Sequence, residues 1–291
     1  MEILNQKFLF VFFTSLAFRS DNERYTLQHE FDYPKYGTEY IQKWNHEHEL
    51  SFKIPGIGNV KYATTYTSLH QYMGQEGEFY KFKVTGTDME TNNYVDGIEI
   101  IDQYWLAMED NPCYIYAKID GNGLIDHIKP VNPEHDYLLE AYEAAYMSLN
   151  ISRYKYPFGS AAENIIVGDT WNSSYETSKF YVNLGSPPSL FRSRATWDLK
   201  KVKDKRGVKT AYIDVIDEIT IDLKITIDFL GERQIIVGNA YGKSDAKFRW
   251  DIENTDILYS RTINNLKGDF EMDGETFFSQ FYFRQTTKMV R

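Results

Sequence analysis

The arrangement in this sequence nearest to a reactive centre is His46-Glu47-His48. Alternate residues of a strand share a face, so the two imidazoles would point the same way and could offer two ligands to a metal ion. Zinc needs three or four ligands, and a third would have to come from a remote residue such as His29 or His70. Without one, the pattern reads as alternating surface His and Glu. His135-Asp136 has no second His/Asp set beside it. The chain has no Gly-x-Ser-x-Gly elbow, phosphate loop, Gly-x-Gly-x-x-Gly or His-Glu-x-x-His. Carboxylates that alternate with Lys, as at Asp222 and Lys224, belong to a solvated face. Cys113, the single cysteine, stands in Asn111-Pro112-Cys113-Tyr114-Ile115 without a basic neighbour to activate it. It reads as a small buried hydrophobe at the start of a strand. These residues point to no catalytic group, no metal and no cofactor, and so to a protein that is not an enzyme.

Composition narrows the class. The 291 residues carry 32 Lys+Arg against 42 Asp+Glu, a formal charge of -10. That balance argues against a nucleic-acid partner, whose phosphates need a basic footprint. One cysteine cannot build a disulfide framework. Aromatic residues make up 16% of the chain, including 23 Tyr and 19 Phe. Such rings could line an apolar groove or fill a two-layer core.

The elements that must position these groups are strands. Ile219, Ile221, Leu223, Ile225, Ile227 and Phe229 alternate with Thr220, Asp222, Lys224, Thr226 and Asp228. A clean in/out alternation suits an antiparallel sheet with one wet face. The same period runs through Tyr40 to Leu50, Val60 to Tyr66 and Ala246 to Ile252. Ala195, Trp197 and Leu199 lead into the turn Asp204-Lys205-Arg206-Gly207, and Ala211, Ile213 and Val215 return, which predicts a hairpin. Residues 277–283 are aromatic on both faces and predict a strand covered on both sides. Asp120-Gly121-Asn122-Gly123 predicts another tight turn.

One segment departs from this period. Asn132-Pro133-Glu134 has the capping, first-turn and dipole chemistry of a helix start. Leu138, Ala141, Tyr142, Ala145 and Leu149 then recur at three and four, predicting an amphipathic helix over 133–149. Residues 156–162, with Pro157 and Gly159, read as a linker. The expected layout is an N-terminal β lobe over 21–155 that includes the helix, and a C-terminal β lobe over 165–291. The two lobes share one continuous core or form separate ones.

Ahead of them, Phe8 to Phe18 is an apolar run broken only by Thr14 and Ser15. It is too short to cross a bilayer and has the length of a signal-peptide core. Lys7 precedes it, and Ser15 and Ala17 suit a cut after residue 17. Residues 1–17 therefore read as an export signal, and the expected location is periplasmic or extracellular. The basic run Lys200, Lys201, Lys203, Lys205, Arg206 and Lys209 reads as a charged hairpin tip, or as a contact for anionic headgroups.

At Val167-Gly168-Asp169-Thr170-Trp171 the chain resembles a family of uncharacterised exported bacterial β-rich proteins. Pro157 and the turn Asp120-Gly121-Asn122-Gly123-Leu124 stand where that family has a Pro and an Asp-Gly turn. Some of its members look distantly like the half-barrels of lipoprotein carriers, which hold acyl chains against a concave sheet. The resemblance implies a curved antiparallel sheet or half-barrel with one central helix. The pentapeptide also has a structural reading: Gly168 permits a positive φ, Asp169 and Thr170 bond nearby amides, and Trp171 buries a large surface.

The functional expectation is an exported protein that binds an apolar small molecule or lipid chain between a curved sheet and the helix. Leu138, Tyr142 and Ala145 would line it from the helix, and Leu223, Ile225 and Phe229 from the long strand. The alternative is a structural or interaction module of the cell envelope with an envelope protein as partner. No stretch is long and apolar enough to be a membrane-spanning helix.

Overall fold

A computed structural model describes residues 23–27, 41–54, 56–100, 113–119, 125–130, 162–180, 189–229, 232–254 and 256–290. The described chain is almost all strand: β1 (Ile41–Ile54), β2 (Gly58–Glu76), β3 (Phe79–Thr91), β4 (Asn93–Val95), β5 (Ile98–Ile100), β6 (Cys113–Ile119), β7 (Ile125–Pro130), β8 (Thr170–Phe180), β9 (Ser189–Lys205), β10 (Val208–Phe229), β11 (Glu232–Asp251), β12 (Asp256–Met272) and β13 (Glu275–Val290). All thirteen join one sheet, in the order β7-β6-β3-β2-β1-β13-β12-β11-β10-β9-β8, with β4 and β5 branching from β2. Every pairing is antiparallel. The described strands do not close into a barrel: β7 and β8 stand at the two ends of the path. Both halves of the chain supply strands to this sheet, and they meet where β1 pairs with β13. The helix expected over 133–149, the turn at 120–123 and the export signal over 1–17 lie outside the described residues, among which there is no α-helix.

Local chemistry explains the meander. Three hairpins close on two-residue loops, Asp96-Gly97, Arg206-Gly207 and Asp273-Gly274, with both residues at positive φ. This is the mirror-image turn whose twist matches that of the flanking strands. At the β11–β12 turn, Asp251 accepts hydrogen bonds from the amides of Glu253 and Asn254 at 3.1 and 3.0 Å.

The alternation sorts side chains onto an inner, buried face and an outer, wet one. On β10, Ala211, Ile213, Val215, Ile219, Ile221 and Leu223 are buried, whereas Ile216, Glu218 and Lys224 are exposed. The strand is longer than the alternation predicts. Its 22 residues begin at Val208, so the hairpin return and the 219–229 run are one element spanning roughly 70 Å. The join is hidden because Asp217, a charged residue, occupies an inner position between Val215 and Ile219. Residues 277–283 give a second difference. Phe277 and Phe281 pack inward, but Phe278 on the outer face is 55% exposed, so β13 is not covered on both sides there.

Two large apolar clusters occupy the inner face. The first joins Trp171, Trp197, Leu199, Ala211, Ile213, Val215 and Trp250 with Tyr25, Leu27, Ala162 and Ile165. Those last four belong to a cover laid over the sheet: Tyr25 and Ile165 exchange backbone hydrogen bonds at 2.7 and 2.9 Å, and the Leu27 amide donates to Ala162 at 3.0 Å. Ala162, from the expected linker, is fully buried in this cover. The second cluster joins Phe52, Ile54, Val60, Ile219, Ile221, Leu223, Ile236, Leu266, Phe270 and Phe281. Its described members come from strands, with Ile57 of the β1–β2 turn packed against them.

The second cluster also has a crowded strip. Cβ atoms built on Gly238, Gly242 and Gly268 would stand 2.4, 2.0 and 1.8 Å from carbonyl oxygens of the neighbouring strand. All three glycines pair with inner-face residues of β11 or β12. Crowding on one face is what a sheet curling toward that face produces, and Gly relieves it.

Candidate functional site

A belt of polar side chains crosses the inner face between the two large clusters. Ser193 of β9 hydrogen-bonds Asp217 of β10. Asp217 pairs in register with Ser244 of β11, and Ser244 with Asn264 of β12. One step along β12, Thr262 pairs with Gln285 of β13, and Ser260 with Thr287. Gln285 and Thr287 face His48 and His46 of β1, which face Thr64 and Tyr66 of β2. Asp217, Ser244, Gln285, Thr287, His46, Thr64 and Ser68 are all buried.

His46 anchors the belt and is only 1% exposed, which overturns the reading of His46-Glu47-His48 as a surface alternation. Its Nδ1 lies 3.2 Å from Thr287 Oγ1 and its Nε2 2.9 Å from Ser68 Oγ. The ring stacks on Tyr66 at 4.5 Å and 22°. The hydroxyls can donate as well as accept, so they satisfy either neutral tautomer.

His48 differs. Its ring meets His46, Tyr66 and Phe283 edge-on, at 6.0, 5.6 and 6.5 Å. Its Nε2 is buried without a hydrogen-bond partner among the described residues, and so is Asn264 Oδ1. Burial holds the His48 imidazole down at a pKa of about 4, so the ring is neutral at pH 7. Each orphaned polar atom costs roughly 1–3 kcal/mol, a sizeable loss against a net stability of about 5–15 kcal/mol.

These two atoms flank a window. His48, Leu50, Tyr62, Thr262, Asn264 and Phe283 are half-buried, whereas the inner positions to either side are mostly buried. Register makes them neighbours: Leu50 pairs with Phe283 and with Tyr62, and Phe283 pairs with Asn264. The window is thus a partly exposed, ring-lined patch on an otherwise buried face. Among the described residues, no three His, Cys, Asp or Glu side chains gather as metal ligands. His70 lies on β2 opposite Gln42, two inner positions from the residue paired with His46.

Of the ligand-lining residues expected from the sequence, Leu223 is buried in the second cluster. Ile225 and Phe229 continue along β10 opposite Ile236 and Glu232. Leu138, Tyr142 and Ala145 lie outside the described residues. The Val167–Trp171 motif sits at the start of β8, away from the belt. Gly168 has a φ of 97° and donates its amide hydrogen to Leu199 at 2.8 Å. Asp169 Oδ2 accepts from the Ile166 amide at 2.9 Å. Trp171 is 6% exposed. The basic residues do gather at the β9–β10 tip, where Lys201 lies 4.8 Å over the Tyr212 ring and Lys209 pairs with Glu23.

The sequence matches no protein-family model. A comparison with curated proteins finds none that is similar. Among solved structures, a lipovitellin studied for its lipid–protein interactions overlaps 86% of this chain at 9% identity and a TM-score of 0.44. This chain spans 25% of the length of that one. Salmonella typhi OmpF in complex with daunomycin overlaps 86% of this chain and 97% of its own, at 7% identity and a TM-score of 0.21.

Proposed function

We propose that this protein is exported and works by binding rather than catalysis, holding an apolar ligand or lipid chain against the inner face of its sheet. The observation that carries the reading is the asymmetry of that face. One apolar cluster is covered by residues 23–27 and 162–165. The other is itself buried but runs into a half-buried window that includes Leu50, Tyr62 and Phe283. A lipid chain laid over that window would gain about 0.8 kcal/mol per methylene it buries. Export rests on the apolar run from Phe8 to Phe18.

Native mass spectrometry of gently purified full-length protein, followed by titration with the neutral apolar dye Nile red, tests the binding. Co-purifying lipid or saturable dye binding supports it. A ligand-free protein that leaves the dye in water overturns it. Amino-terminal sequencing of protein recovered outside the cytoplasm tests export, with Phe18 expected as the first residue.

A second reading, an interaction module of the cell envelope, draws on the outer face. Ile216, Ile235, Tyr241 and Phe278 are 57%, 55%, 48% and 55% exposed there. Crosslinking in cells that recovers one dominant protein partner would favour it.

A further inference from the structure

Going beyond the apolar-ligand reading, we infer that the outer face of the sheet, at the end marked by the β9–β10 hairpin, docks on an anionic bilayer surface.

Strand register carries this. On the outer face, Lys201 of β9 pairs with Tyr212 of β10, and Tyr212 with Arg249 of β11. Arg249 pairs with Tyr259 of β12, and Tyr259 with Lys288 of β13. Cations and tyrosines therefore alternate across these adjacent strands, over about 19 Å at the usual strand spacing. Lys201 lies 4.8 Å over the Tyr212 ring, and Arg249 lies 5.6 Å from Tyr212 and 4.8 Å from Tyr259. Lys203 and Lys205 continue the outer side of β9 toward Arg206 in the turn. On β1, Asn45 pairs with Lys288, and Lys43, the next outer residue, pairs with Val290. All of these cations are exposed, and none forms an ion pair among the described residues. The acids at this end are spent or confined to turns: Asp251 is buried, Asp198 pairs with Lys200, and Asp204 and Glu253 sit in turns. The next outer row, with Asp214 and Glu47 beside Lys247 and Arg261, is mixed and bounds the patch. A chain of formal charge -10 thus carries a cationic array at one end of one face.

Charge complementarity calls for an anionic partner, and the neighbours of the cations select a bilayer. Ile41 and Val290, 51% and 37% exposed, flank Lys43 and offer apolar contact that a headgroup layer can bury. Tyrosine is amphipathic and suits the same depth. A nucleic-acid strand would need open rings on which its bases could stack. Here Tyr212 and Tyr259 already carry cations over their faces. The acidic remainder of the chain also repels an extended polyanion.

Flotation of the full chain with lipid vesicles tests this. Phosphatidylcholine vesicles containing one-third phosphatidylglycerol should bind at least about tenfold more tightly than phosphatidylcholine alone, and added salt should weaken that binding. Lys203→Gln with Lys205→Gln should lose about fivefold in affinity for each charge removed, and Arg249→Gln with Lys288→Gln the same. Either pair suffices if the other fails to fold. Lys243→Gln with Lys267→Gln removes the same charge from exposed outer positions farther along β11 and β12. That control pair should stay within about twofold of the unsubstituted protein, since screening limits charges to short range. Equal binding to neutral and anionic vesicles, no binding to either, or an equal loss in the control pair overturns the inference. Tighter binding per phosphate to soluble polyphosphate than to the anionic vesicles also overturns it, and makes the partner a polyanion chain. Nile red binding is read separately, so each of these failures leaves the apolar-ligand reading standing.

Discussion

Trp171 and Trp197 stand directly opposite each other on β8 and β9, with their rings stacked at 6.1 Å and 20°. Trp197 continues the stack to Phe248 at 5.6 Å and donates its Nε1 hydrogen to Ser173 at 2.8 Å. The pair ties the end strand β8 to the covered cluster. Trp171→Ala should cost about 3–5 kcal/mol of stability by the lost burial and the void left behind. Trp171→Phe should cost clearly less. Urea unfolding of both variants checks the order.

The second prediction concerns pH. The folded pKa of His48 is lowered to about 4 by desolvation, against about 6.5 in the unfolded chain. Between these values the unfolded state binds more protons, so stability rises with pH through that window. Acidification from pH 7 should therefore destabilise the protein as pH falls through about 6.5, and the loss from this group should level off below about 4. The contribution is at most roughly 3–4 kcal/mol. His48→Phe should flatten that part of the profile, measured as unfolding free energy across pH 4–7 relative to the unsubstituted protein. An unchanged slope would count against a neutral buried ring.

Gly268 gives a third. A Cβ there would stand 1.8 Å from the Asn239 carbonyl oxygen, a contact that only backbone movement can relieve. Gly268→Ala should cost more than the roughly 1–3 kcal/mol typical of overpacking, despite the higher strand propensity of Ala. By contrast, Gly74→Ala meets no atom within 4 Å, and its cost comes only from the φ of 116°. Thermal melts of the two should separate clearly.

Ser193 supplies the fourth. Its Oγ lies 2.7 and 2.8 Å from the two carboxyl oxygens of Asp217, inside the sheet. Ser193→Ala should lose about 1.5–3 kcal/mol, the usual worth of a buried hydrogen bond to a charged group. Replacing Asp217 as well by Asn in a double-mutant cycle should recover part of the loss and show coupling between the two sites.

Much of the sheet was legible because a strand with one buried face writes itself as period two. The β9–β10 hairpin could be read from Trp197, Gly207 and Ile213 alone. The belt could not. Asp217, Ser244 and Asn264 come together only through register, and no local pattern links them. His46 resembled a surface residue because both it and Glu47 are polar, so hydropathy cannot tell the inner face from the outer at that point. Asp217 broke one long strand into two apparent ones for the same reason. Outer-face exposure of Phe278 was equally hidden, since an aromatic residue suits either side of a sheet.

The pairing of β1 with β13 has a consequence for biogenesis. Each wing of the sheet is built largely from near-neighbour hairpins that can zip as they are made. The seam between the wings joins residues such as Trp44 and Met289, separated by nearly the whole polypeptide. β1 must wait with one edge unsatisfied until β13 is available to pair with it. Slow closure of that seam, rather than weakness in either wing, is where a holdase chaperone would act.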